Sequence, residues 1–212
     1  MKNVWLATLA MATCMGAVGG CSSPSLHPLA GPDSLVQDYG LPGEWATDGP
    51  TVTRVIVTET PDGKYSGALT IHQNAEAKAA LGLEISLTQI ESDHYVDLFL
   101  AKPDRERLAA KFGFLALPVH QLMMVQREED TLTVWTFDAE WLRRAGKERS
   151  FACEVLPIAG RDVAVITAET GSLRQYLSKH AHDRGVLSAP MVFHRVGAGM
   201  KIGGASSSET TQ

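Results

Sequence analysis

The chain lacks any surplus of positive charge. Its 19 lysines and arginines face 24 aspartates and glutamates, a formal net charge of −5. Nucleic acid is held by a concentrated basic face, so this balance argues against a nucleic-acid partner. The densest basic stretch, Arg143-Arg144 with Lys147 and Arg149, is broken by Glu148 and reads as the solvated side of a helix. Catalytic signatures are missing too. The sequence contains no Gly-x-Ser-x-Gly elbow, no His-Glu-x-x-His and no phosphate-cradling glycine loop. The uncharged stretch from Val4 to Val18 is too short for a comfortable membrane span. No internal repeat of fixed period stands out. Cysteine is scarce, with Cys14, Cys21 and Cys153 making up all 3.

What is present begins with a charged, then apolar, then small-residue layout. Lys2 precedes the Val4–Val18 stretch, which closes on Val18-Gly19-Gly20-Cys21 and the polar Ser22-Ser23-Pro24-Ser25. These residues resemble a bacterial lipoprotein signal with Val18 to Cys21 as its lipobox; the alternative is an ordinary secretory leader in which Cys21 is a chance thiol. The resemblance implies cleavage of residues 1–20 and acylation of Cys21, hence anchorage of the chain to a membrane through that residue. Two or more acyl chains hold a bilayer stably where one does not. Ser22, rather than an aspartate, follows the cysteine, which by the same resemblance implies the outer membrane. With Cys14 removed and Cys21 acylated, Cys153 is left alone and no intrachain disulfide forms. Within the alternating Phe151-Ala152-Cys153-Glu154-Val155 it reads as a small inward-facing residue.

Residues 21–40 carry Pro24, Pro28 and Pro32 among serines and glycine, and read as a flexible tether. Residues 197–212 are glycine, serine and threonine with little that is apolar, and read as a disordered tail. Between them, 41–196 forms one domain that is mainly β with minor α. Hairpins are expected from Thr51–Thr58 and Tyr65–His72 around Pro61-Asp62-Gly63, and from Leu83–Thr88 and Tyr95–Leu100 around Glu91-Ser92-Asp93. A third pairs Val119–Arg127 with Leu132–Phe137. Phe151–Leu156, Val163–Thr167 and Met191–Val196 bring the count to nine short strands in antiparallel succession, as in a barrel or sandwich. One helix is capped by Asp138 and puts Trp141, Leu142 and Ala145 on one side. A second begins near Thr167 or Thr170 and spaces Leu173, Tyr176, Leu177 and His180 helically, with Arg174 outside. Lys102–Phe114 is either a third helix or a long loop.

Gly43-Glu44-Trp45, on a polar and proline-containing approach to the first strand, resembles the Gly-x-Trp opening of lipocalins. More closely, the chain resembles an uncharacterised group of bacterial lipoproteins with a lipocalin-like β-barrel. The shared features are that opening, Pro118-Val119-His120, Asp138-Ala139-Glu140-Trp141-Leu142, and a helix running from Thr167 through Leu173. The resemblance covers most of residues 41–196 and implies an antiparallel lipocalin-like barrel with two or three short helices. The chain departs from lipocalins in lacking their Thr-Asp-Tyr signature and in placing an arginine, Arg195, within the final strand. Trp45 and Arg195 form a candidate barrel lid in which the guanidinium lies across the indole.

No catalytic set, metal site or cofactor is expected. His180 and His182 are two apart on a helix and diverge, whereas His94, His120 and His194 sit on strands. The chain therefore reads as non-enzymatic. Leu69, Ile71, Leu83, Ile85, Leu87, Phe99, Met123, Val125 and Val134 are the candidate lining of a cavity for an apolar or amphipathic small molecule, such as a lipid. The same residues are also able to pack solid. The barrel would then act through its surface on a protein of the cell envelope.

Overall fold

The computed structural model describes residues 24–73, 76–112, 118–158 and 161–197. The leader, Cys21 and residues 198–212 lie outside the described residues, so the expectations placed on them are not addressed by the fold. The chain enters as β1 (Pro24–Ser25) and continues into β2 (Gly43–Ala46), β3 (Thr51–Glu59), β4 (Tyr65–Gln73), β5 (Glu76–Ile90) and β6 (Asp93–Leu100). Helix α1 (Lys102–Phe112) precedes β7 (His120–Glu128) and β8 (Thr131–Thr136). Then come α2 (Ala139–Lys147), β9 (Cys153–Ile158), β10 (Arg161–Ile166), α3 (Thr170–His180) and β11 (Met191–Arg195).

Eight strands in the order β6-β5-β4-β3-β2-β11-β8-β7 form an antiparallel barrel, closed where β6 pairs with β7. The mainly β barrel with three short helices matches the sequence expectation. Period-2 alternation and turn chemistry account for the hairpins. Glycine at position 63 takes φ +75°, a conformation that side chains resist, and closes the β3–β4 turn. Asp138 caps α2 by accepting the Trp141 N–H at 2.8 Å, and Trp141, Leu142 and Ala145 are the buried face.

Two cores result. The inner one fills the barrel around Leu41, Trp45, Val57, Tyr65, Leu83, Ile85, Leu87, Val96, Val125, Val134 and Phe193. The outer one lies between the barrel wall and a flank of helices and strands. There Tyr95 and Leu122 of the wall meet Trp141, Leu142, Ile166, Leu173 and Leu177. β9 and β10 belong to this flank, not to the barrel: β10 joins the sheet through β1, which also pairs with β7.

The tether expectation needs correction. Residues 24–40 are built into the fold as a strap. Leu29 is 0% exposed in the outer core, and its N–H donates to Asp97 Oδ2 at 2.8 Å. Thr170 Oγ1 donates to the Pro28 carbonyl, and Val36 N–H to the Leu87 carbonyl. Prolines and serines gave this segment the composition of a linker, but one fully buried leucine and its satisfied backbone outweigh composition. Arg174 is likewise not directed to solvent. Its guanidinium donates to Thr88 Oγ1 at 2.9 Å and to the Gln89 carbonyl at 3.1 Å, fastening α3 to the barrel wall.

Cys153 is 8% exposed, and its thiol donates to the Leu142 carbonyl at 2.9 Å. Burial pushes its pKa up, so little thiolate forms near neutrality. Peptide mapping after alkylation at neutral pH is expected to find Cys153 unmodified in the folded protein and fully modified in denaturant. Comparable labelling in both states would contradict this packing.

Candidate functional site

The barrel has two unlike ends. At one, the short turns β3–β4, β5–β6 and β7–β8 gather, and residues 36–42 cross the opening. Trp45 stands on the inner face there, 0% exposed, with Nε1 donating to the Leu41 carbonyl at 2.9 Å. The guanidinium carbon of Arg195 lies 4.2 Å from the indole centroid, so the two candidate lid residues are in contact. Arg195 also donates to the Pro42 carbonyl at 2.9 Å and to the Gly40 carbonyl, and its Nε meets Asp130 at 3.1 Å. The Gly-x-Trp opening acquires a physical reason. Gly43 takes φ +141°, and a Cβ there would collide with the Arg195 guanidinium.

A second arginine completes this closure. Arg127 grips Asp38 with Nε to Oδ2 at 2.7 Å and Nη2 to Oδ1 at 2.9 Å. The Asp38 N–H donates to Tyr65 Oη at 2.7 Å. The hydrogen bonds from Arg127 are the largest cause holding the Asp38 carboxyl below its ordinary value. Because the folded-state pKa is the lower one, the pair's stabilisation is complete above the unfolded value and is lost as pH falls through the folded one. Arg127→Met is expected to cost about 1 kcal/mol near pH 7 and to flatten the loss of stability on acidification below about pH 4. Denaturant melts across that range check it; parallel wild-type and variant profiles would be the contrary result.

Toward the other end the inner wall stays apolar but loses its cover. Leu69, Leu98, Leu100, Met123 and Met191 line it and are half-buried, in contrast to the fully covered residues around Trp45. Of the candidate lining, Leu83, Ile85, Leu87, Val125 and Val134 are buried within the inner core, with Leu69 and Met123 packed against it. Ile71 is buried and shares the β4 face of Tyr65 and Leu69.

Phe99 is the correction. On β6, Val96, Leu98 and Leu100 belong to the inner core, so Phe99 points outward. It stacks on His120 with ring centroids 4.4 Å apart. Gln121, which the sequence did not single out, shares the inner face of β7 with Met123 and Val125 by alternation. Its Nε2 is buried and has no hydrogen-bond partner among the described residues.

The three strand histidines do not converge. His120 Nδ1 lies 2.7 Å from Asp97 Oδ1, His194 pairs with Asp48 at 3.4 Å, and His94 sits opposite Val125. Asp97 is 3% exposed and also accepts the Leu29 N–H, so it joins β6, β7 and the strap. Ser86 lines the same outer depression of about 310 Å³ as Asp97 and His120. Register nevertheless puts Ser86 on β5 and His120 on β7, two strand spacings or about 9–10 Å apart, too far for proton transfer between them. The pair acts as a latch, and the spacing from position 97 to 120 offered no local signal for it. A more polar depression of about 630 Å³ also lies on the outer wall, beside His182 and Asp93, which are 2.7 Å apart. Comparison with known proteins finds no matching family model, no matching curated protein and no matching solved structure.

Proposed function

We propose that the chain is an envelope lipoprotein of the lipocalin-like group, anchored through acylated Cys21 at the outer membrane, whose barrel binds an apolar or amphipathic small molecule. One observation carries this reading. The inner wall is apolar throughout, yet it is sealed around Trp45 and half-exposed at Leu69, Leu98, Leu100, Met123 and Met191. That gradient is what a blind-ended binding space requires, because apolar surface left accessible is stabilised when a ligand covers it. The unpartnered Gln121 amide supplies a donor for an acceptor oxygen, which favours an amphipathic ligand over a pure hydrocarbon.

Titration of the full chain in detergent with a fluorescent fatty acid tests the reading. Saturable binding at one per chain is expected, and Leu98→Trp should weaken it about tenfold or more by filling the space, a loss of about 1.4 kcal/mol. Binding that is absent, or indifferent to the substitution, would overturn it. The packed inner half and the placement of both outer depressions favour one rival, a filled barrel that meets an envelope protein through its surface. The same titration separates the two.

A further inference from the structure

We infer that the barrel stands on the bilayer with its half-exposed end toward the lipid and its Trp45 end away, so that the ligand is a membrane lipid entering from the leaflet beneath. This rests on the binding reading above and on acylation of Cys21. Chain length decides the orientation. The strap is part of the fold from Pro24 onward, so only Ser22 and Ser23 separate the acylated residue from packed structure. Three residue steps reach about 10 Å at most.

Pro24 pairs with Gln121 at the first turn of the ladder on β7, the end that carries the half-exposed wall. Arg127, at the sealed end, is six residues further along the same strand, or about 20 Å away. β8 occupies the neighbouring lane on β7 from Thr136 opposite Met123, which turns the incoming chain out of the sheet rather than along it. An anchor on so short a leash therefore holds the half-exposed end near the headgroups and leaves the sealed end distant. Among the described residues no helix is long and apolar enough to cross a membrane, so contact is by the anchor and the surface.

Charge is polarised in the same sense. The strand ends and turns at the sealed end carry Glu59, Asp62, Glu91, Glu128, Glu129 and Asp130 against Lys64. Helix α1 leaves β6 at the opposite end, and its sequence has Lys102, Arg105, Arg107 and Lys111 against Asp104 and Glu106. Lys102 and Arg107 are exposed. A leaflet bearing anionic headgroups attracts the second set and repels the first.

The test uses the full acylated chain in vesicles of phosphatidylethanolamine and phosphatidylglycerol that contain a headgroup-labelled acceptor lipid. Donor fluorophores are placed at Ala109→Cys on α1 and, separately, at Thr58→Cys near the sealed end; both positions are exposed. Energy transfer should place Ala109 closer to the headgroups than Thr58 by about 20 Å. The Lys102→Glu/Arg107→Glu double variant should reduce the transfer from Ala109 while leaving the melting profile unchanged. Equal transfer from both sites, a reversed order, or a chain that stays off the vesicles would overturn the inference. Extracted lipid is measured in the same samples. The predicted orientation without bound lipid refutes the binding reading alone, and bound lipid with the reversed orientation refutes the orientation alone.

Discussion

Trp45→Ala is expected to remove most of the protein's stability, at a cost of about 3–5 kcal/mol by comparison with other buried aromatic truncations. The indole is 0% exposed inside the inner core, and its loss does three things at once. It opens a cavity at the sealed end. It strips the Leu41 carbonyl of its 2.9 Å donor. It also leaves Arg195 without the ring that lies 4.2 Å beneath its guanidinium. Against a typical domain stability of about 5–15 kcal/mol this is a large fraction. Trp45→Phe keeps the aromatic face under Arg195 and gives up the N–H and some volume, so it should cost about half as much. Urea melts of both variants measure this. A cost below about 1 kcal/mol for the alanine variant would mean that the closure is not held from Trp45.

The second large effect is expected at Asp97. Asp97→Ala leaves the Leu29 N–H buried without an acceptor and frees His120 Nδ1, for a loss of about 2–4 kcal/mol. Since the carboxylate serves both the strap and β7, the strap should loosen as well as the barrel. Amide exchange at Leu29 is therefore expected to speed up more than exchange at Val96, which is inside the barrel. The cycle with His120→Ala should show a coupling of about 1–2 kcal/mol, because the two side chains share one contact. Additive single and double variants, with Leu29 still protected, would leave the latch without support.

Much of this architecture was legible because it is local. Alternation in Thr51–Thr58 and Leu83–Thr88, with turn residues between strands, specifies hairpins by side-chain period alone. Asp138 and the spacing of Trp141, Leu142 and Ala145 specify a capped helix in the same way. What escaped depends on partners distant in the chain. β2 is four residues long and the strap reads as a linker, so neither has a period to detect. Leu29 gains its meaning from α3 and from Asp97, more than sixty residues away. Phe99 was assigned inward because an apolar residue in a strand does not reveal which face its neighbours will bury. Register settled that, and a single step along β6 exchanges the barrel interior for the outer wall. β9 and β10 look like barrel strands for the same reason, and only their pairing through β1 takes them out. The contact of Trp45 with Arg195 was approachable from order alone, since the Gly-x-Trp opening and the final-strand arginine stand in lipocalin-like positions.

The central claim is that the apolar space above Trp45 holds a ligand. Native mass spectrometry of the full chain released gently from its membrane, with organic extraction of the same sample, tests it most directly. The account predicts one lipid-sized adduct per chain beyond the covalent acyl groups, and its loss in Leu98→Trp. A mass that matches the acylated chain alone, unchanged by that substitution and by added lipid, would contradict it.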